Sequence, residues 1–175
     1  MKNQVVTFQP IAKRGKTTYQ LSDQSFHAKT SMGLDIKRLA RHAGICKINS
    51  RIKTKHFQQY SEPILADYRL IWFQKEIVEK NITAILRELD YQPATLLETL
   101  SCLLLMSQMQ RIELLHDRDL VALGSHWLDE REKLVRIPFV HKMTQLRLSL
   151  GHTFNQHDLF LIRPTIASFL SSGDS

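Results

Sequence analysis

The chain has 175 residues, of which 43% are hydrophobic, and its formal net charge at pH 7 is +7. A chain of this length can bury a sizeable core without crosslinks, and two cysteines are too few for a disulfide scaffold. The most apolar window, residues 96–109, contains Glu98 and is shorter than the roughly 18 uninterrupted apolar residues of a membrane-spanning helix, so it predicts a buried helix instead.

The first 33 residues predict a basic N-terminal arm or a small β-hairpin. Two β-prone runs, residues 5–8 and 17–21, lie on either side of a basic run that contains Lys13, Arg14 and Lys16. No apolar stretch near the start is long enough for a signal peptide. We therefore expect a cytoplasmic protein.

Two local patterns in the first half of the chain have simple interpretations. The triplet from Gly15 to Thr17 matches the end of a phosphate-binding P-loop, but Pro10 occupies the position of an earlier glycine that the motif requires. Cys46 lies in a polar run and Cys102 in an apolar one, so we expect two reduced thiols.

The segment 34–60 changes its apolar face at Gly44. At 100° per residue the apolar positions before Gly44 share one side of a helix, and those after it are displaced by about 160°. The two sets are Ile36, Leu39, Ala40 and Ala43, then Ile45, Ile48 and Ile52. A single regular helix cannot bury both sets, so the pattern predicts a turn at Gly44 between two helices.

The predicted second helix carries a row of cations. Lys47, Arg51 and Lys55 follow one another at a spacing of four residues, on a face largely opposite the isoleucines. We expect this row to meet phosphates and base edges. The other candidate nucleic-acid contacts are three polar side chains and six further cations: Ser50, Thr54, Gln58, Lys13, Arg14, Lys16, Lys37, Arg38 and Arg41.

The segment resembles helix-turn-helix regulators over about 23 residues. The likeness rests on Leu39, Ala40, Gly44 and Ile45, which match the alanine and turn-glycine spacing of that class. In that class the sixth and ninth positions after the glycine are usually apolar, whereas here they are Ser50 and Lys53. Either the turn differs in length from that of the class or the likeness is accidental; the resemblance itself implies a DNA-binding segment.

Residues 61–175 predict a helical body. One apolar stripe runs over residues 64–89, Pro93 opens an apolar helix, and further helical patterns follow Asp117 and Pro138 and cover residues 159–170. With the two helices before residue 60, these segments predict an all-α, multi-helix bundle of about six or seven helices. Trp72 and Trp127 lie on the stripes and are expected in the core.

The chain offers no recognisable catalytic or metal-binding motif. His152, His157 and Asp158 form the densest group of possible metal ligands, but the remaining histidines are scattered, so we expect no metal. No nucleotide-binding, hydrolase or metalloprotease motif occurs. We expect a protein without enzymatic activity and without a cofactor.

The uneven charge distribution points to a polyanionic partner. Residues 1–60 hold 12 lysines and arginines against two aspartates, a net charge of +10, whereas residues 61–175 hold 12 against 15, a net charge of −3. We expect a nucleic-acid-binding protein, specifically a DNA-binding transcriptional regulator on duplex DNA, whose body 61–175 self-associates or binds a protein. The alternatives are an adaptor or chaperone-like subunit and an RNA- or ribosome-associated factor.

Overall fold

The computed structural model describes residues 6–30, 35–57, 60, 62–129, 132–149 and 151–165. Within these ranges the chain forms four α-helices: α1 (Ile36–His42), α2 (Glu79–Glu88), α3 (Leu96–Leu105) and α4 (Gln108–Leu115). The same ranges contain fourteen strands: β1 (Ala12–Arg14), β2 (Thr17–Leu21), β3 (Phe26–Lys29), β4 (Lys47–Ile48), β5 (Leu65–Phe73), β6 (Ile77–Val78), β7 (Tyr91–Pro93), β8 (Asp119–Val121), β9 (Trp127–Asp129), β10 (Leu134–Arg136), β11 (Pro138–His141), β12 (Gln145–Leu148), β13 (Thr153–Phe154) and β14 (Asp158–Pro164).

Ten of the described strands form one mixed sheet. Its main order is β1-β2-β5-β14-β8-β11-β12-β4, while β3 pairs with β5 and β7 pairs with β14. The long strands β5 and β14 run antiparallel through it, with Leu159 opposite Trp72. In this order β1 and β4 are the two ends, so the N-terminal hairpin and the segment after Gly44 belong to opposite edges of the sheet.

Two hydrophobic cores lie on the two faces of the sheet. The first core contains Ile36 and Leu39 of α1 together with the apolar side chains of α3, such as Leu100. The second core contains Ile82 and Leu86 of α2. Helices therefore cover both faces of the sheet, and α1 is held against the first one.

The predicted all-α bundle is wrong, and the central strands explain why. In β5, Tyr68 and Leu70 belong to the first core, whereas Ile71 and Phe73 belong to the second. Buried and half-buried residues alternate from Ala66 to Leu70, but the second half of β5, from Leu70 to Phe73, is apolar on both faces, and such a run also fits a helical stripe. The stripe over residues 64–89 consequently contains two strands, and only its last part forms a helix, α2.

The segments after Asp117 and Pro138 are also strands, where helices were predicted. The first contains β8 and β9, and the second forms the antiparallel pair β11 and β12, with Val140 opposite Leu146. The apolar segment from Leu159 begins as β14, and residues 166–170 lie outside the described ranges. Strand β8 obtains hydrogen bonds from the distant strand β14, which local periodicity cannot report, whereas β9–β10 and β11–β12 pair neighbouring segments of the chain.

Three local predictions are confirmed. The apolar window 96–109 contains the buried helix α3, which Thr95 caps by accepting a hydrogen bond from the backbone N–H of Glu98. Residues 12–21 form a hairpin, one of the two alternatives for the N-terminal segment, around a turn with Gly15 at φ +58°, but its first strand is Ala12–Arg14 of the basic run and not the predicted residues 5–8. Cys46 and Cys102 form no disulfide. None of the helices in the described ranges is long and apolar enough to cross a membrane.

Candidate nucleic-acid interface

The first helix of the predicted pair is present and ends where the sequence indicates. The Asp35 side chain caps α1 by accepting hydrogen bonds from the backbone N–H groups of Lys37 and Arg38, at 3.1 and 3.3 Å. The helix ends at His42, and Gly44 follows with φ +83°, in the left-handed region that favours glycine. The predicted turn at Gly44 is confirmed.

The predicted second helix is absent. Lys47 and Ile48 form strand β4, which pairs in parallel with Gln145 and Leu146 of β12, and Thr54–His56 is a single 3₁₀ turn. Ile45 and Ile52 are fully buried in the same core as α1. The change of apolar face at Gly44 therefore reflects a change of chain direction into an extended segment, and the helix-turn-helix interpretation is wrong.

The predicted row of cations is consequently not a helical face. Lys47 is exposed on β4, at the edge of the sheet, whereas Lys55 is exposed in the 3₁₀ turn. Ser50 is exposed in the connection between them. Gln58 lies outside the described residues.

Arg51 is an ion-pairing residue that attaches this connection to the β9–β10 hairpin. Its Nη1 lies 3.0 Å from Asp129 Oδ2 and 3.1 Å from Glu132 Oε1. Arg136 also pairs with both carboxylates. Hydrogen bonds from Arg136 and then Arg51 lower the pKa of Glu132. Two cations thus neutralise two anions, and Arg51 shapes this surface without adding net charge to it.

Thr54 is a structural link. Its hydroxyl accepts a hydrogen bond from the backbone N–H of Ile36 at 3.0 Å and donates one to the Asp35 carboxylate. This hydroxyl contributes most to lowering the pKa of Asp35. The start of α1 therefore lies against the 3₁₀ turn, which places the first-turn residues Lys37 and Arg38 next to the segment that carries Lys53 and Lys55.

A surface pocket of about 550 Å³, termed the basic pocket, lies between the 50–56 connection and the β9–β10 hairpin. Its lining residues are Ser50, Arg51, Lys53, Lys55, His56, Trp127, Leu128 and Asp129. Lys53 and Lys55 are exposed, and neither forms an ion pair with an acid in the part of the chain that the structure describes. The imidazole of His56 stacks on the indole of Trp127, with ring centroids 5.0 Å apart and an interplanar angle of 16°.

Five of the eight lining residues were not among the contacts predicted from the sequence: Lys53, His56, Trp127, Leu128 and Asp129. Lys53 was counted as a departure from the helix-turn-helix pattern, His56 was not considered, and Trp127 was assigned to the core. Trp127 does pack against the first core, but it is only half-buried and also lines the pocket. Lys53 and Trp127 are 74 positions apart in the sequence, so no local pattern joins them.

The N-terminal cations do not join the basic pocket. Lys13 and Arg14 lie on β1, at the other end of the strand order from β4, and Lys16 lies in the β1–β2 turn. Arg14 forms an ion pair with Glu88 of α2. On α1, Arg38 and Arg41 are exposed and Lys37 is partly exposed. Of the N-terminal and α1 cations, the structure therefore brings only those of α1 near the 50–56 connection.

Two other groups of titratable side chains lie elsewhere. The Glu79 carboxylate accepts hydrogen bonds from His126, at 2.5 Å, and His152; burial opposes its charge, but these bonds outweigh it and lower the pKa of Glu79. His141 lies 2.7 Å from Asp119, next to the buried Asp158. Among the described residues no three histidine, cysteine or acidic side chains are placed to hold a metal ion.

Comparison with known proteins adds no independent assignment. No protein-family model matches the chain, and no similar protein was found among curated proteins or solved structures. The chemistry of the basic pocket and of the cations around it is therefore the basis for a functional proposal.

Proposed function

We propose that this protein binds nucleic acid through the basic pocket and the adjoining cations of α1. The observation that carries the proposal is the pair Lys53 and Lys55, two exposed lysines without acidic partners among the described residues, beside a stacked His56–Trp127 ring pair. Lysines in such positions can replace the counterions of phosphate groups, and aromatic rings offer stacking surfaces to bases.

The local charge balance supports the same function. The segment from Asp35 to Phe57 holds seven lysines and arginines, and Asp35 is its only acid. The Asp35 carboxylate caps α1, while Arg51 is neutralised by Asp129 and Glu132. The remaining cations, which form no ion pair within the described ranges, are Lys37, Arg38, Arg41, Lys47, Lys53 and Lys55.

This mode of binding differs from groove reading by a helix pair. Because β4 and a 3₁₀ turn occupy the place of the second helix, no recognition helix follows the Gly44 turn. Arg51 accordingly has a positioning role, since its ion pairs with Asp129 and Glu132 fix the wall of the basic pocket. Phosphate contact is assigned to Lys53 and Lys55.

The test compares two double variants with equal loss of charge. Lys53→Ala/Lys55→Ala removes the pocket lysines, and Lys75→Ala/Lys80→Ala removes two exposed lysines outside the basic pocket. Binding of a fluorescent oligonucleotide is measured by anisotropy over a salt series. We expect the pocket variant to lose at least about tenfold in affinity and to reduce the magnitude of the salt slope by about 1.4 to 1.8, and the control variant to bind like the wild type.

Two outcomes would overturn the proposal. One is a wild-type protein that does not bind DNA or RNA oligonucleotides at low salt. The other is a pocket variant whose affinity and salt slope equal those of the Lys75→Ala/Lys80→Ala control. Far-UV circular dichroism of both variants confirms that a lost affinity is not a lost fold.

A further inference from the structure

We propose that the basic pocket receives an unpaired nucleobase, so that the ligand class is single-stranded nucleic acid. This inference rests on the proposed nucleic-acid binding and specifies which form of nucleic acid is bound. It is carried by four features of the pocket: the aromatic stack, the exposed Leu128, the ion-paired walls and the position of the two lysines.

The aromatic stack provides a surface for the flat face of a base. The rings of His56 and Trp127 are nearly parallel, with an interplanar angle of 16°, and both residues line the pocket. In a duplex the faces of each base are covered by its neighbours, whereas an unpaired base has faces available for stacking. Because the facing sides of His56 and Trp127 cover each other, an unpaired base would stack on an outer face of the pair.

The hairpin side of the pocket includes an exposed apolar side chain, Leu128. Leu128 is 54% exposed and lines the pocket, and its cross-strand partner Val135 is 38% exposed. The β9–β10 hairpin is a separate two-stranded sheet, so these side chains project from it without covering the main core. Exposed aliphatic groups beside phosphate-binding cations match the alternation of apolar base and charged backbone in a single strand.

The walls of the pocket are held in place by charge pairs. Arg51 on the 50–56 connection contacts Asp129 on β9 and Glu132 before β10, and Arg136 on β10 pairs with the same two carboxylates. The two walls are thus joined at one end by these ion pairs. The volume of about 550 Å³ lies within the range of small-molecule sites and is large enough for one nucleotide.

The lysines lie where the backbone of a bound nucleotide would pass. Lys53 and Lys55 stand on either side of Thr54, whose hydroxyl is fixed by Asp35 and Ile36, so the chain between the two lysines is anchored. Ser50 is exposed at the same pocket and supplies a hydroxyl for a base edge. Phosphate charge, base face and base edge therefore each meet a suitable group.

The test uses the fluorescence of Trp127. The chain has two tryptophans, so Trp72→Phe leaves Trp127 as the single tryptophan, which is excited selectively over the four tyrosines. This variant is titrated with an oligothymidine of about twelve nucleotides, a length that fits the site sizes of single-strand-binding folds. A blunt duplex of equal length is titrated in parallel. We expect the single strand to quench Trp127 and to bind at least about tenfold more tightly than the duplex.

Substitutions at the stack separate a stacking role from a packing role. Trp127→Ala should lower single-strand affinity by roughly 5- to 150-fold, the range for loss of one base–aromatic stack, and should leave duplex affinity within about twofold. Trp127→Phe keeps an aromatic face and should restore most of the loss. If Trp127→Ala does not fold, Trp127→Phe and His56→Ala provide the comparison, with His56→Ala expected to weaken only single-strand binding.

The outcomes distinguish the inference from the proposed function. The inference would be overturned if the duplex bound as tightly as the single strand or more tightly and oligothymidine did not quench Trp127. The proposed function would survive this result if affinity still depended on Lys53 and Lys55. Absence of binding to both forms would overturn the proposed function itself. Tight single-strand binding that ignores Trp127→Ala would also count against the base pocket.

Discussion

Asp158 carries a buried carboxyl group whose charge is poorly compensated. Asp158 is the first residue of β14, and only 6% of it is exposed. Its Oδ2 accepts a hydrogen bond from the backbone N–H of Asn155 at 2.7 Å. No cationic side chain among the described residues forms an ion pair with it. Burial, together with the charge of Asp119 opposite it on β8, raises the pKa of Asp158 to about 6.

Asp158→Asn should therefore stabilise the protein at neutral pH. The folded-state pKa of about 6 exceeds the ordinary value of 3.8, so the folded state holds the proton more strongly, and wild-type stability falls as pH rises from about 4 to 6. The asparagine oxygen can accept the same hydrogen bond without a charge. We expect a gain of about 1–3 kcal/mol above about pH 6, since one pKa unit corresponds to about 1.4 kcal/mol.

The measurement is urea unfolding of both proteins across this pH range. The difference between Asp158→Asn and the wild type should shrink below about pH 4, where the carboxyl is protonated in both states. A difference that stays constant with pH would show that Asp158 acts through something other than its charge.

At the scale of elements, the start of α3 joins three parts of the fold. Glu98 is fully buried and completes the capping box with Thr95. Its carboxylate also accepts hydrogen bonds from the hydroxyls of Tyr68 on β5, at 2.9 Å, and Tyr60, at 3.2 Å. Arg163 on β14 forms an ion pair with it, with 2.5 Å between Nε and Oε1. One side chain thus attaches a helix to both central strands.

Glu98→Ala should destabilise the protein strongly. It removes the cap and leaves the Arg163 charge, whose side chain is 12% exposed, without its partner, a loss of about 3–5 kcal/mol. Glu98→Gln keeps the hydrogen-bond acceptor and should cost less. Chemical denaturation measures both, and Glu113→Ala, an exposed glutamate on α4, serves as a control that should change stability by no more than about 0.5 kcal/mol. A Glu98→Ala loss below about 1 kcal/mol would contradict this role.

The elements also show which parts of the fold the sequence can predict. Helix α3 was predictable because its cap and its apolar residues lie within one short window. The turn at Gly44 was predictable for the same reason. Strand β4 was not, because its partner Gln145 is 98 positions after Lys47 and neither segment carries a local sign of the pairing. The central strand β5 was mistaken for a helix because it is buried on both faces.

The candidate site shows the same limit. The sequence identified the basic segment and three of the residues that line the pocket, Ser50, Arg51 and Lys55. It could not identify the wall formed by Trp127 and Leu128, nor the neutralisation of Arg51 by Asp129 and Glu132. These are tertiary contacts, and under the proposed function they change the expected roles: Arg51 positions the pocket wall, while Lys53 contacts phosphate.

At the scale of the whole molecule, the fold divides the basic first third into two surfaces. The net charge of +10 over residues 1–60 belongs partly to the β1–β2 hairpin and partly to the segment from Asp35 to Phe57. In the strand order, seven strand-to-strand steps separate β1 from β4, which corresponds to roughly 34 Å along the sheet at about 4.8 Å per step. The Debye length at physiological salt is about 8 Å, so we expect little electrostatic interaction between the two surfaces.

Removal of the hairpin lysines should therefore leave short-oligonucleotide binding unchanged. Lys13→Ala/Lys16→Ala removes the same charge as Lys53→Ala/Lys55→Ala and spares Arg14, which is paired with Glu88. With an oligothymidine of about six nucleotides, the pocket variant should reduce the magnitude of the salt slope by about 1.4, and the hairpin variant by less than about 0.3. A hairpin variant that lowers affinity and slope as much as the pocket variant would mean that nucleic acid contacts both edges. If the hairpin variant keeps the wild-type affinity and the pocket variant loses it, binding depends on the local arrangement of Lys53 and Lys55 around the pocket, since both variants carry the same net charge.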